Sequence, residues 1–262
     1  MPATQRYFMQ LSYNGATFHG WQTQPNAVTV QQTIEEAMAT VLRRQVAITG
    51  AGRTDAGVNA RKMMAHFDLP ADLLGIGDDK IEPFVRAINH LCGHDIAIKR
   101  VFPVKPDVHA RFDATSRTYK YFMHYGKSPF LKNFSWQIPR DGLDLEAMNL
   151  AAELLLDVDD FTSFSKLHTD VKTNICHVTQ AEIYTDHFGM AFTITADRFL
   201  RNMVRAIFGT LVDVGRGKLS IDGFRRVIDA RDRCKAGASM PPHPLFLWDI
   251  TYPNNIFPDS HE

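Results

Sequence analysis

One order of elements, strand then helix then two strands, occurs in both halves of the 262 residues. That recurrence limits the fold more than any other feature of the sequence. Adjacent strands without an intervening helix pair antiparallel, whereas a doubly wound parallel sheet needs a helix at every crossover. The order therefore predicts an α+β protein with mostly antiparallel sheets, built as two similar subdomains. The halves share element order but no sequence repeat.

The elements follow from periodicity. Residues 7–13 (YFMQLSY) read as a strand ending at the turn dipeptide Asn14-Gly15. Thr29, with Gln32 three residues on, forms a capping box ahead of a helix whose Ile34, Ala37, Met38, Val41 and Leu42 fall on one face. Residues 46–49 and 65–69 read as strands, and residues 81–91 as a helix with Pro83 in its first turn. Ile96, Ile98 and Val101 alternate up to Pro103 and Pro106. That proline pair places the boundary between a first half, 1–104, and a second half, 105–262. In the second half, residues 118–125 (TYKYFMHY) alternate, so Tyr119, Tyr121, Met123 and Tyr125 share a face. A helix over Leu145, Met148, Ala152 and Leu155 precedes a hairpin, 178–184 and 190–195, turning at residues 186–189. A second helix runs from Leu200 through Met203, Val204, Ile207 and Leu211 to Gly215. A shorter one over Phe224, Val227 and Ile228 and a strand at 246–252 complete the chain.

Hydrophobic residues make up 45% and charged residues 22%, ordinary for a folded domain. Cys92, Cys176 and Cys234 lie far apart, which argues against a disulfide framework or a zinc site and fits a cytosolic protein. No apolar run approaches the ~20 residues of a membrane span, and the start lacks a signal pattern. Lys+Arg and Asp+Glu number 29 each, so nucleic-acid binding would have to come from local patches. Arg198, Arg201, Arg205, Arg216 and Lys218, followed by Arg225, Arg226, Arg231, Arg233 and Lys235, supply one such patch, with Arg111, Arg117 and Lys120 around the tyrosine strand. Acidic residues gather elsewhere, at Asp68, Asp72, Asp78, Asp79 and Glu82 and over residues 141–160.

The strongest chemical signal is the segment 50–57, GAGRTDAG. A phosphate-cradle reading fails, because GxGxxG needs glycine at the position of Asp55 and no GK[ST] follows. The glycines instead allow a tight turn and close approach of a ligand. Arg53 and Asp55 stand two residues apart on that loop. A guanidinium nearby keeps a carboxylate ionised, which suits a nucleophile or general base. Spacing alone favours a plainer reading, in which Asp55 caps a turn and Arg53 forms a surface ion pair, since Asp-rich loops are common.

The words around Asp55 resolve that choice by likeness. Gly52-Arg53-Thr54-Asp55-Ala56-Gly57-Val58 resembles the signature of the tRNA pseudouridine synthase A family. The resemblance continues through Tyr13-Asn14-Gly15, Phe18-His19-Gly20-Trp21-Gln22, His109-Ala110-Arg111-Phe112, Arg117-Thr118-Tyr119-Lys120-Tyr121, Asp160-Phe161-Thr162-Ser163-Phe164 and Met203-Val204-Arg205. One departure is Asn59, where the family has His.

The resemblance implies an isomerase that converts uridine to pseudouridine at positions 38, 39 and 40 of the tRNA anticodon stem-loop. It implies sheets that join centrally, helices on the outer face and an active-site cleft between the halves. By the same likeness Asp55 is the essential aspartate, Tyr119 stacks on the flipped uracil and Arg205 pairs with the catalytic carboxylate. Arg53 would stand at the RNA entrance, with Arg111 and Arg201 as further RNA contacts. The reaction exchanges no electrons and releases no fragment, so it implies no cofactor and no metal; the partners implied are tRNA and a second copy of the chain. Two other readings predict different products: an RNA-binding module would retain tRNA without isomerising it, and a nucleoside hydrolase would release free uracil.

Overall fold

The computed structural model describes residues 4–74, 78–139, 141–166 and 173–256. The chain divides into two compact units, Met1–Thr115 with Leu247–Glu262, and Ser116–Phe246. Both are α+β with mostly antiparallel strands.

In the first unit, β1 (Thr4–Tyr13) is followed by α1 (Val30–Leu42), β2 (Thr49–Gly50), β3 (Asn59–Pro70), α2 (Ala71–Leu74), α3 (Asp78–Leu91) and β4 (Ile96–Val104). β1 is central, antiparallel to β3 on one side and β4 on the other. Period two along β1 and β3 sends Tyr7 and Phe67 toward one face, where they stack at 5.6 Å, and Phe67 meets Phe84 of α3 at 6.2 Å. Thr29 caps α1 by accepting from the Gln32 N–H, but the Gln32 side chain bonds Glu36 rather than closing a capping box. The expected strand at 46–49 shrinks to β2. Glu35 accepts from the Ile48 N–H and Gln31 donates to the Ile48 carbonyl, so α1 satisfies the backbone that a strand partner would otherwise hold. α3 begins ahead of the predicted start, which puts Pro83 in its second turn.

Pro103 does not end the first unit. It pairs with Tyr7 from the edge strand β4, where a missing N–H costs no ladder bond. Beyond it, Lys105 donates to Ile256 and Arg6 donates to the Val108 carbonyl, so the segment to Thr115 packs within this unit.

The second unit runs β5 (Ser116–His124), β6 (Trp136–Gln137), α4 (Leu145–Glu153), β7 (Val178–Asp186), β8 (Gly189–Ala196), α5 (Met203–Gly215) and α6 (Ile221–Asp229). β8 lies antiparallel between β5 and β7, and β6 pairs parallel with β5. The buried face of α5 centres on Phe208, whose ring meets Tyr121 at 4.4 Å, Phe192 at 5.5 Å and Trp136 at 6.1 Å. Burying one such ring stabilises the unit by roughly 1.5–3 kcal/mol. The last strand, β9 (Leu245–Thr251), returns the chain to the first unit, beside β3.

Candidate active site

In the first unit, the words shared around Asp55 pack on one another. The Ala51 N–H donates to Met64 as β2 leaves β3, and the chain then turns through residues 52–58. Asp55 accepts from the Val58 N–H at 3.1 Å through its backbone carbonyl, with Gly57 at φ +79°. Residues 13–21 brace this turn. The Tyr13 phenol lies 2.8 Å from the Thr54 hydroxyl, the Trp21 N–H donates to the Thr54 carbonyl, and the Gly57 N–H donates to Phe18. Tyr13, Phe18, Trp21 and Thr54 are buried, Asp55 is half-buried, and Arg53 is exposed.

Three residues here have work that sequence alone did not assign. Gly50 makes room for the Trp21 indole, since a Cβ on it would come 2.5 Å from that ring; its role is packing rather than approach to a ligand. Gly20 has φ +93°, and a Cβ there would lie 2.6 Å from the Thr54 carbonyl oxygen. Asn59 is buried and accepts from the Gly15 N–H at 2.8 Å, so the residue departing from the family word ties residues 13–15 to the start of β3.

Arg111 belongs to the same unit, on a turn over residues 109–113. The His109 N–H donates to the Asp113 carboxylate at 2.6 Å, and His109 Nδ1 accepts from the Arg111 and Phe112 N–H groups. Buried His66 accepts from the Ala110 N–H at 3.1 Å, and the Tyr252 hydroxyl donates to the Ala110 carbonyl at 2.5 Å. Burial, helped by the Arg6 charge, pushes His66 down to about 4, and burial pulls His109 below its ordinary value as well. Both rings are therefore neutral near pH 7, as their acceptor roles require.

In the second unit, Tyr119 is half-buried on β5 opposite Ile194, its ring edge-on to Phe199 at 5.0 Å. Its companions differ in fate. Tyr121 and Met123 are core, and the Tyr121 hydroxyl donates to Pro241. Tyr125 lies past the end of β5 and is exposed, so it does not share that face. Arg205 is half-buried on α5 and bonded twice to Met240: its Nε donates to the Met240 carbonyl at 2.6 Å and its carbonyl accepts from the Met240 N–H. Burial raises the Tyr121 phenol and the Arg205 charge opposes that rise, so guanidinium and ring share one neighbourhood.

Two basic residues stand elsewhere than expected. α5 starts at Met203, after Asn202 at φ +67°, so exposed Arg201 lies in the preceding turn and not on the helical face of Arg205. Lys120 is buried, paired with Asp186 at 2.5 Å and 5.1 Å from the Tyr184 ring, which makes it a structural cation. Arg233, counted with the basic cluster from sequence, has a structural role: it donates to the Gly237 carbonyl and the Ser239 hydroxyl and so shapes the loop that holds Arg205. No motif marked that role. Charge is also less segregated than the sequence suggested, because Arg231 pairs with Asp160 at 3.2 Å. In the acidic group, the side chains of Asp72 and Asp78 lie outside the described residues.

Cys92 is buried, its thiol pushed up to about 11, while His90 and His94 are exposed. Among the described residues no three metal-ligating side chains gather, and no helix is long and apolar enough to cross a membrane.

Architecture and site words together define a class, the isomerases that form pseudouridine in RNA. Residues 151–253 match the family model described as tRNA pseudouridine synthase. The chain is 57% identical over 254 residues to a Parabacteroides distasonis protein named tRNA pseudouridine synthase A, covering 97% of this chain and 98% of that one. It is 52% identical to the Bacteroides fragilis protein of the same name, covering 97% and 99%, and 38% identical to the Caldicellulosiruptor bescii one, covering 93% and 98%. The chain belongs to the tRNA pseudouridine synthase A family. It is an isomerase, and its reaction is pseudouridine formation in tRNA.

Proposed function

We propose that this enzyme isomerises uridines 38, 39 and 40 in the anticodon stem-loop of tRNA, with Asp55 attacking the ribose anomeric carbon or acting first as base on the sugar. The reaction breaks the C–N glycosidic bond and makes a C–C bond between the same two rings. The uracil must be held while it turns, and Tyr119 is the platform for it. Flipping a stem base costs a few kcal/mol. Stacking on an aromatic ring returns about 1–3 kcal/mol. Backbone contacts from Arg53, Arg111 and Arg201 supply the remainder, making binding salt-dependent and selective by shape. By the family likeness, Arg205 is the arginine that serves the catalytic carboxylate. The enzyme acts in the cytoplasm as a homodimer on this reading.

The observation that supports it most is the convergence of the separate words 13–15, 18–22 and 52–58 on one braced turn carrying Asp55. The test is an unmodified tRNA transcript with uridines at 38, 39 and 40, mapped base by base after chemical labelling of pseudouridine. Product at those positions is expected from the wild type, and none from Asp55→Asn, which still binds tRNA. Product at other positions, or full turnover by Asp55→Asn, would contradict the proposal.

A further inference from the structure

Phe112 is 74% exposed. A lone exposed phenylalanine is ordinary. This one is held in a way that ordinary surface rings are not. Five backbone groups of its turn are bonded to side chains: the Phe112 and Arg111 N–H groups to His109 Nδ1, the His109 N–H to Asp113, and the Ala110 N–H and carbonyl to His66 and Tyr252. The His109 imidazole lies 4.3 Å from the Phe112 ring centre at 33°, and is itself edge-on to His66 at 4.6 Å. The Arg111 guanidinium carbon stands 5.7 Å from the same ring centre. An apolar ring is thus presented to solvent from a pinned turn, against an imidazole and next to a cation.

We propose that Phe112 is a stacking platform for an unpaired base of the bound tRNA, with Arg111 taking an adjacent phosphate and His66 and His109 as positioning residues. An aromatic face accepts any base, and a guanidinium beside it neutralises backbone charge, which is how proteins grip nucleotides outside a helix. A pinned turn presents its ring at a lower ordering cost than a mobile loop. The inference rests on the tRNA reading above and adds a second aromatic contact, separate from the Tyr119 platform.

The experiment measures tRNA affinity across a salt series with the unmodified transcript, for wild type, Phe112→Ala, Phe112→Trp and Arg111→Ala, with melting temperature and oligomeric mass recorded for each. Phe112→Ala should raise Kd by about 5- to 150-fold with an unchanged salt slope, since the ring carries no charge. Phe112→Trp should bind within twofold of wild type, and Arg111→Ala should lower the slope by about one. A loss below fivefold in Phe112→Ala, an equal loss in Phe112→Trp, or a changed oligomeric mass in Phe112→Ala would overturn the proposal. If wild type forms pseudouridine in the transcript while Phe112→Ala binds normally, only this inference fails; if wild type forms none, the tRNA reading fails first.

Discussion

The Tyr13 phenol and the Thr54 hydroxyl meet at 2.8 Å, both buried, and Thr54 is the residue before Asp55. The end of the first strand thereby fixes the height of the aspartate turn. Tyr13→Phe keeps the ring against Trp21 and removes the bond to Thr54. Because it strands a buried hydroxyl, it should cost about 1–3 kcal/mol in urea unfolding. Turnover should fall while tRNA affinity stays within a few-fold. Unchanged stability and turnover would show that the contact does not position the loop.

Gly20 tests the same brace from the other side. Its φ of +93° suits glycine, and a methyl group would press on the Thr54 carbonyl at 2.6 Å. Backbone strain and displacement together predict that Gly20→Ala loses roughly 2–4 kcal/mol and most activity. Gly52→Ala, by contrast, adds a methyl with nothing within 4 Å. It should be tolerated within about 0.5 kcal/mol. Thermal unfolding and turnover of the two variants side by side would decide the matter; equal effects would remove the steric argument.

The periodic elements were legible because one face of each is buried. α1 and α5 showed their apolar positions at helical spacing, and the 178–196 hairpin showed its turn. Elements whose bonds come from afar were not. Ile48 is held by the Gln31 and Glu35 side chains, a tertiary substitute that no local pattern reveals. Tyr125 fitted the alternation of β5, but alternation cannot say where pairing stops. Lys120 looked like any basic surface residue; only the position of Asp186, 66 residues away, makes it structural. At the site, the Asp55 words were legible as likeness, whereas the Tyr13–Thr54 and His66–Ala110 bonds join residues 41 and 44 positions apart.

His66 ties stability to pH. It faces Arg6, Asp68 and His109, and takes its proton only near 4 in the folded chain against an ordinary 6.5. Between those values the unfolded chain binds more protons. Stability is therefore complete above pH 6.5 and falls as pH drops toward 4, by roughly 2 kcal/mol between 6.5 and 5 from this residue alone. His109 shifts in the same direction and steepens the fall. Urea unfolding at pH 7, 6 and 5 should show this slope in wild type and a shallower one in His66→Gln, whose amide oxygen still accepts from Ala110. Parallel slopes would assign the acid sensitivity elsewhere.

Lys120 separates structural from RNA-binding charge. Its ammonium and the Asp186 carboxylate, 6% and 19% exposed, form a pair that water hardly screens. Removing one partner of a fully buried pair costs about 3–5 kcal/mol; with Asp186 partly wet, Lys120→Met should cost about 2–3 kcal/mol. Asp186 also accepts from the Phe188 N–H at the hairpin turn. Asn at that position keeps the acceptor and deletes the stranded charge, so Lys120→Met with Asp186→Asn should recover about half the loss. The double variant should bind tRNA with the wild-type salt slope, because neither charge faces phosphate, whereas Arg201→Ala should lower that slope by about one. A reduced slope in the double variant would return Lys120 to the RNA surface.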